Sequence, residues 1–483
     1  MTSRMSRVDA RDLSGSRAGP VVPRLVRGGS TAARWLVCAF LAVSAVAGAW
    51  QREAPEADWP LWCLLVENPP VLILAAAGLL VLGACAALEW QRVHREAYRG
   101  RPRLILASLA AGLLCVLLLV LAAATAPGAL SPEAAWEGAG RLAVALALGL
   151  LAWLARPQPR ELALALGMAA SVHALVGIAQ FAGQWMGNLM PFGGLSELNV
   201  NVRGVSVVDV GGRHWLRAYG LSAHPNVLGG FLTVATLILL GALGSTRWSR
   251  RGRAGLWALI CLALVALLLT FSRSAWIGLA CGLGVLVWFR WRHGPPGQFV
   301  PRGRESWLVL GVIAIVAVTA AGVSPLIATR LTGGGSPLEA QSIEERRITF
   351  DAAWELLWRS PWNGVGLENS ALALRAFLSE TSDKIGNAYV HNVALMAATE
   401  LGVGGGAAWI ALGAAGAIVP WLARWRSRPR GRRPDGWATA LGAAWLALWV
   451  IALFDYYPWL ALRNGVIWPV LLGLWMASWT ELR

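Results

Sequence analysis

The feature that most constrains this chain is a succession of apolar runs, each roughly 16 to 25 residues long, about what a helix needs to cross a hydrocarbon core of roughly 30 Å. Inside that core no water can pair a free backbone amide, so such runs must fold as helices. They fall near 33–50, 70–90, 104–126, 140–155, 161–183, 227–244, 254–271, 274–290, 306–323, 393–420, 437–454 and 462–480. The fold class expected is therefore an all-α polytopic membrane protein of about twelve transmembrane helices. The short run at 140–155 and the tight break at 271/274 leave eleven or thirteen open. Composition agrees: 57% of residues are hydrophobic, 14% are charged and the mean hydropathy is +0.55, which sets a soluble globular class aside.

A net charge of +16 raises the question of nucleic acid, but the basic residues do not gather on a soluble domain. They occupy alternate loops. With the N-terminus in the cytoplasm, the segments on that side carry 29 of the 42 Lys+Arg. This asymmetry is the positive-inside rule, and it places both termini of an inner-membrane protein in the cytoplasm. An even number of spans requires the same. Residues 1–32 read as a disordered cytoplasmic tail, 33–183 as N-terminal transmembrane helices and 184–226 as a first outer segment. Residues 227–323 form further transmembrane helices, 324–392 a large outer segment and 393–483 the C-terminal helices. In the first outer segment, Gly211-Gly212 between two short β-prone runs predicts a hairpin. In the second, the pattern predicts a helix from Glu339 to Trp358 that stops before Ser360-Pro361. The six cysteines show neither a disulfide framework nor zinc-ligand spacing.

This topology gathers the polar chemistry on the outer side. Arg273 lies in the turn Thr270-Phe271-Ser272-Arg273-Ser274 between two apolar runs, and a charge near membrane depth is a site hypothesis by default. Arg217 precedes the run that begins near Asn226, Arg346 and Arg347 sit on the expected outer helix, and His391-Asn392 closes the large outer segment. Guanidinium is permanently charged and forks onto two oxygens at once, so a set of outer arginines suits a phosphate ligand. The bland alternative has Arg273 snorkelling to the interface and Arg346 and Arg347 pairing with Glu344 and Glu345. About 100° separates neighbouring residues on a helix, so only one of Arg346 and Arg347 should face a common site. Histidine ordinarily titrates near neutrality and can take a proton from a hydroxyl, which makes His391 the candidate base; His224 is the next candidate. No outer cluster has metal-ligand spacing and no Gly-rich nucleotide loop occurs, so neither metal nor other cofactor is expected.

Four motifs in order resemble the O-antigen ligase and O-antigen polymerase superfamily. They are the run Arg217-Ala218-Tyr219-Gly220 through His224-Pro225-Asn226, the Ser272-Arg273 turn, the segment Glu345-Arg346-Arg347 through Ser360-Pro361-Trp362-Asn363-Gly364-Val365-Gly366, and His391-Asn392 with Gly402-Val403-Gly404-Gly405 behind it. The resemblance covers roughly residues 160–480. It implies a glycosyltransferase whose donor is an undecaprenyl-pyrophosphate-linked glycan and whose acceptor is a further glycan or lipid A-core, working in the bilayer without nucleic acid or metal. Carried over by position, Arg273 and Arg346 take the pyrophosphate, with Arg217 as a third contact and Arg347 as the alternative to Arg346. His391 takes the role of base, and Asn392 orients it. A single base without a nucleophilic carboxylate implies one displacement and inversion at the anomeric carbon.

Ligase and polymerase share these motifs, and the loops do not decide between them. A lipid-linked sugar transporter is the alternative from another class. Transporters usually carry ionisable residues in mid-span or repeats with broken helices; here Glu400 is the ionisable residue clearly inside a span, and no two-fold repeat is visible.

Overall fold

The computed structural model describes residues 21–43, 83–88, 102–186, 198–200, 205–293, 304–332, 337–379, 389–426, 436–460 and 467–479. Helices dominate them: α1 Val21–Val43, α2 Pro102–Thr125, α3 Pro132–Ala155, α4 Pro159–Gly183, α5 Pro225–Ser245, α6 Arg250–Leu269, α7 Arg273–His293, α8 Arg304–Gly322, α9 Ser324–Thr332, α10 Pro337–Arg359, α11 Ser370–Ser379, α12 Val393–Arg426, α13 Gly436–Ala452 and α14 Ile467–Ser478. Two small antiparallel pairs interrupt them, β1 (Trp185–Met186) with β2 (Leu198–Asn199) and β3 (Val207–Val210) with β4 (Arg213–Leu216). The second pair is the expected hairpin. Gly211 and Gly212 both have positive φ, 59° and 80°, as its two-residue turn requires.

Eight of the described helices are long and apolar enough to cross a membrane, and α13 and α14 are shorter apolar helices. The expected short run at 140–155 becomes a full-length helix because Ser131 caps it and Pro132 opens it. The tail expected over 1–32 is described from Val21 as part of α1, whose first residues are apolar with a proline in the opening turn. Of the run expected at 70–90, only 83–88 lie within the described residues.

The bundle core is α5, buried on nearly every side, with α13 packed against both α5 and α7. Around it, α3 pairs with α14, α12 with α2, and α4 with α6. Lipid tails offer no hydrophobic drive for such pairing, so small residues that let backbones approach supply the contact. A Cβ on Gly473 of α14 would lie 2.0 Å from the Gly149 carbonyl oxygen of α3. The periphery is apolar where lipid would touch it: Leu109, Leu113 and Val120 on α2 and Ile313 and Val318 on α8 are exposed.

The chain reverses so that the C-terminal ends of α2, α4, α6, α8 and α13 meet the N-terminal ends of α3, α5, α7, α12 and α14 at one end of the bundle. The segments 205–224, 324–379 and 389–392 lie at that end. Arg141 of α3 is tied there to Glu368 by a buried two-point fork, Nε to Oε1 at 3.0 Å and Nη2 to Oε2 at 2.5 Å.

A second fastening is a break in α12. Gly402 has φ 73° and ψ −179°, which frees backbone groups on both sides of it. The stretch Pro361–Gly366 takes them up: Val365 N–H donates to the Thr399 carbonyl at 2.9 Å, Gly366 N–H to the Glu400 carbonyl at 2.9 Å, and Val403 N–H to the Pro361 carbonyl at 2.8 Å. Glu400 closes the joint, accepting from Ser370 Oγ at 2.6 Å and Trp459 Nε1 at 2.7 Å. A glutamate inside an apolar helix thus has a structural occupation.

Candidate functional site

The turn between α6 and α7 is short and strained. Phe271, fully buried, has φ 48°, a conformation a bulky residue adopts only when its surroundings impose it. Thr270 Oγ1 donates to the Leu267 carbonyl at 2.7 Å and accepts from Ser272 N–H at 3.3 Å, which ends one helix and starts the next. The turn delivers Arg273 as the first residue of α7, with its side chain part-exposed.

Arg273 is held from behind. Its Nη1 donates to the Arg330 carbonyl at 3.0 Å, and its Nη2 lies 3.6 Å from Glu339 Oε2. Arg330, buried at the end of α9, forms an ion pair with Glu339 and donates from Nε to the Phe271 carbonyl at 3.2 Å. The Glu339 carboxylate therefore sits between two guanidiniums.

Arg217 is embedded more deeply. Its Nε donates to the Thr270 carbonyl at 2.7 Å and its Nη2 to Asn226 Oδ1 at 2.7 Å. Asn226 passes the chain on to Asp455 Oδ2 at 2.9 Å, which also accepts from Ser274 Oγ at 3.0 Å. Burial, then the neighbouring Arg330, pushes the Arg217 pKa well below its ordinary value. Burial pushes the Asp455 carboxyl up, while Arg346, Ser274, Arg217 and Asn226 pull it down.

Arg346 and Arg347 separate as one helical step requires. Arg346 is half-buried, its Nη1 within 3.4 Å of the Phe454 carbonyl, and it acts electrostatically on Arg273, His391 and Asp455. Arg347 points to solvent, 68% exposed, and pairs with Glu344 at 2.8 Å. That pairing is the bland reading, and it holds for Arg347 alone.

His391 precedes α12. Its Nδ1 lies 3.1 Å from the Tyr389 carbonyl; a carbonyl can only accept, so Nδ1 carries the proton and Nε2 has the lone pair in the neutral ring. Tyr456 meets the imidazole edge-on at 5.2 Å and stacks on Tyr389 at 4.4 Å. Burial, followed by the charge of Arg346, pushes the His391 pKa down to about 3. The ring is neutral at physiological pH. Asn392 is occupied otherwise than expected: its Oδ1 caps α12 by accepting from Leu395 N–H at 2.9 Å, and its Nδ2 donates to the Leu453 carbonyl at 3.3 Å. The Tyr389 carbonyl, rather than Asn392, orients the imidazole.

His224, the other candidate base, caps α5 instead. Its Nδ1 accepts from Asn226 N–H at 3.1 Å and its Nε2 lies 2.9 Å from Ser206 Oγ.

The structure thus joins Arg217, Arg273, Arg346 and His391 with Arg330, Glu339 and Asp455, and turns Arg347 away. Sequence reasoning passed over the last three. Arg330 and Glu339 lay in the segment already placed outside and were legible only as isolated charges, whereas Asp455 sits in the short turn after α13, where a carboxylate between apolar runs was a signal to read. Four guanidiniums stand with two carboxylates, so the cluster carries an excess of cationic groups.

Fold and site define a class: a multi-pass α-helical membrane protein carrying a cationic, histidine-bearing site at one end of its bundle. Residues 254–410, the stretch that holds Arg273, Arg330, Glu339, Arg346 and His391, match the family model described as O-antigen ligase, which supports membership of that superfamily. A search of curated proteins finds no match.

Proposed function

We propose that the protein is a glycosyltransferase that moves a glycan from undecaprenyl pyrophosphate to an acceptor hydroxyl on the outer face of the inner membrane. The observation that carries this reading is Arg346. One guanidinium, anchored at the Phe454 carbonyl, acts on both Arg273 and His391, which supports a phosphate site beside the imidazole. Arg273 and Arg346 hold the pyrophosphate. Arg330 and Glu339 brace Arg273, and Arg217 braces the turn that presents it.

In the reaction the acceptor oxygen attacks the anomeric carbon as the bond from that carbon to the pyrophosphate oxygen breaks. Negative charge grows on the leaving group, where the guanidiniums stabilise it. His391 Nε2 takes the acceptor proton. One displacement inverts the anomeric centre. The lipid pyrophosphate leaves with the electron pair and the imidazole with the proton, so the step needs no metal and no covalent enzyme intermediate.

The broken α12 is the feature that could speak for a transporter instead. Discontinuous helices in transporters leave backbone groups to coordinate substrate. At Gly402 those groups are already bonded to Pro361–Gly366, which favours the transferase.

Deleting the gene tests the reading and separates its two forms. Surface glycan that accumulates as unligated polymer means a ligase; glycan shortened to single repeats means a polymerase; unchanged glycan contradicts both. Purified protein should retain transfer in EDTA, and loss of activity restored by magnesium or manganese would show that the arginines are not the only counter-charge.

A further inference from the structure

Helix α10 carries an apolar face that the protein leaves uncovered. Ile343, Phe350, Trp354 and Trp358 are each between 44% and 60% exposed. At 100° per residue they fall within an arc of about 80°. To one side of that arc lie Thr349, Ala353 and Leu357, buried in the protein core. To the other lie Glu344, Asp351, Glu355 and Arg359, all exposed, with Glu355 and Arg359 paired at 2.7 Å. The helix therefore has three faces: protein, apolar and charged.

Both ends of α10 are pinned where spans leave the hydrocarbon. Near its start, Glu339 pairs with Arg330 and lies 3.6 Å from Nη2 of Arg273, the first residue of α7; further along, Arg346 reaches the carbonyl of Phe454, just beyond the end of α13. Past its end, the Val365 carbonyl accepts from Leu130 N–H at 3.1 Å, and Leu130 lies in the turn joining α2 to α3. A helix tied at both ends to that level runs along it. Two more aromatics share the level, Trp362 at 80% exposure and Trp136 in the opening turns of α3 at 52%. Indole rings concentrate at this depth in membranes, where an apolar body and a polar N–H are both accommodated.

We propose that α10 is an interfacial helix whose Ile343, Phe350, Trp354 and Trp358 face is seated in the headgroup and acyl boundary of the bilayer. An amphipathic helix of this kind binds through buried apolar area while its charged face stays in water. A saccharide platform suits the same residues less well, because Trp354 and Trp358 meet edge to face at 5.8 Å and 78° and offer no continuous flat surface. The seating holds Arg346, on the protein face beside the apolar one, at headgroup height. That consequence rests on the proposed donor; the seating itself does not.

The test replaces the six native cysteines and introduces single cysteines by Trp354→Cys, Trp358→Cys, Asp351→Cys and Glu355→Cys, with Phe350→Cys should either tryptophan variant fail to fold. Each full-length protein is labelled with an environment-sensitive fluorophore and reconstituted into liposomes. Fluorescence is then quenched by lipids brominated on the acyl chain or by iodide on both sides of the membrane. The account expects several-fold stronger quenching by bromolipid at 354 and 358 than at 351 and 355, and the reverse order with iodide. Equal iodide quenching at all four positions overturns it. So does protection of 354 and 358 that appears only when oligosaccharide is added, or protection from both quenchers, which would mean a glycan or a protein on that face. Transfer activity is not the readout, so failure here and failure of the proposed donor are separable.

Discussion

His391 shows how a residue's chemistry depends on what lies beside it. With its pKa near 3 in the free protein, the imidazole is unprotonated at every ordinary pH but a weak base. Burial is the larger cause and Arg346 the second; a bound dianion against Arg346 cancels the second and moves the pKa up, toward the value at which proton transfer is efficient. A base must be unprotonated to act, so activity is lost as pH falls through its pKa. The acid limb of kcat, which reports the donor complex, is therefore expected at higher pH than that of kcat/KM, which reports the free protein. Profiles measured on one preparation check this, and an acid limb of kcat/KM near the ordinary histidine value of about 6.5 contradicts it. At this scale the sequence named Arg273, Arg346 and His391 but could not choose between Arg346 and Arg347. Nothing local distinguishes neighbouring arginines on a polar helix. The choice is made by α12 and the turn after α13, which stand far away in the chain.

At the scale of elements, the hairpin and α10 were legible because each rests on local rules, a Gly-Gly turn and a proline stop. The break in α12 was not. The glycines at 402, 404 and 405 read alike in sequence, and only the approach of Pro361–Gly366 separates them. Gly402 has positive φ, and a Cβ there would lie 2.3 Å from the Trp362 carbonyl oxygen; a Cβ on Gly404 meets Leu121 at an ordinary 3.5 Å. Gly402→Ala should therefore cost at least about 1–3 kcal/mol from backbone conformation alone. Gly404→Ala should be nearly neutral. Thermal unfolding in detergent compares them, and equal melting temperatures would mean that the joint does not hold the segment as described. His391 sits just before α12, so residual Gly402→Ala protein should also lose transfer.

For the whole molecule, the apolar runs gave the helical bundle, and the charge asymmetry gave its expected orientation. Pairing was beyond the sequence, since apolar helices of similar composition could pack in many orders. What selects one order is complementary small-residue contacts such as Gly149 with Gly473 and distant polar ties such as Arg141 with Glu368. Sidedness is open to direct test. Cysteines placed at 209, 340 and 384 should react with an impermeant reagent added from outside, and cysteines at 98 and 430 should not. Labelling of position 430 would invert the orientation and carry the arginine cluster to the cytoplasmic side.

The central claim is that anion binding and proton abstraction reside on different side chains of one site. Two assays on the same preparations separate them, photocrosslinking to a lipid pyrophosphate analogue and glycan transfer. Arg273→Ala should weaken crosslinking and transfer together, and Arg273→Lys should restore little, because a point charge does not reproduce a fork held by the Arg330 carbonyl and Glu339. His391→Ala should crosslink nearly as wild type while transfer falls by about 10² to 10⁴. Full transfer by His391→Ala protein of wild-type stability, or its loss of crosslinking alongside transfer, would contradict the account.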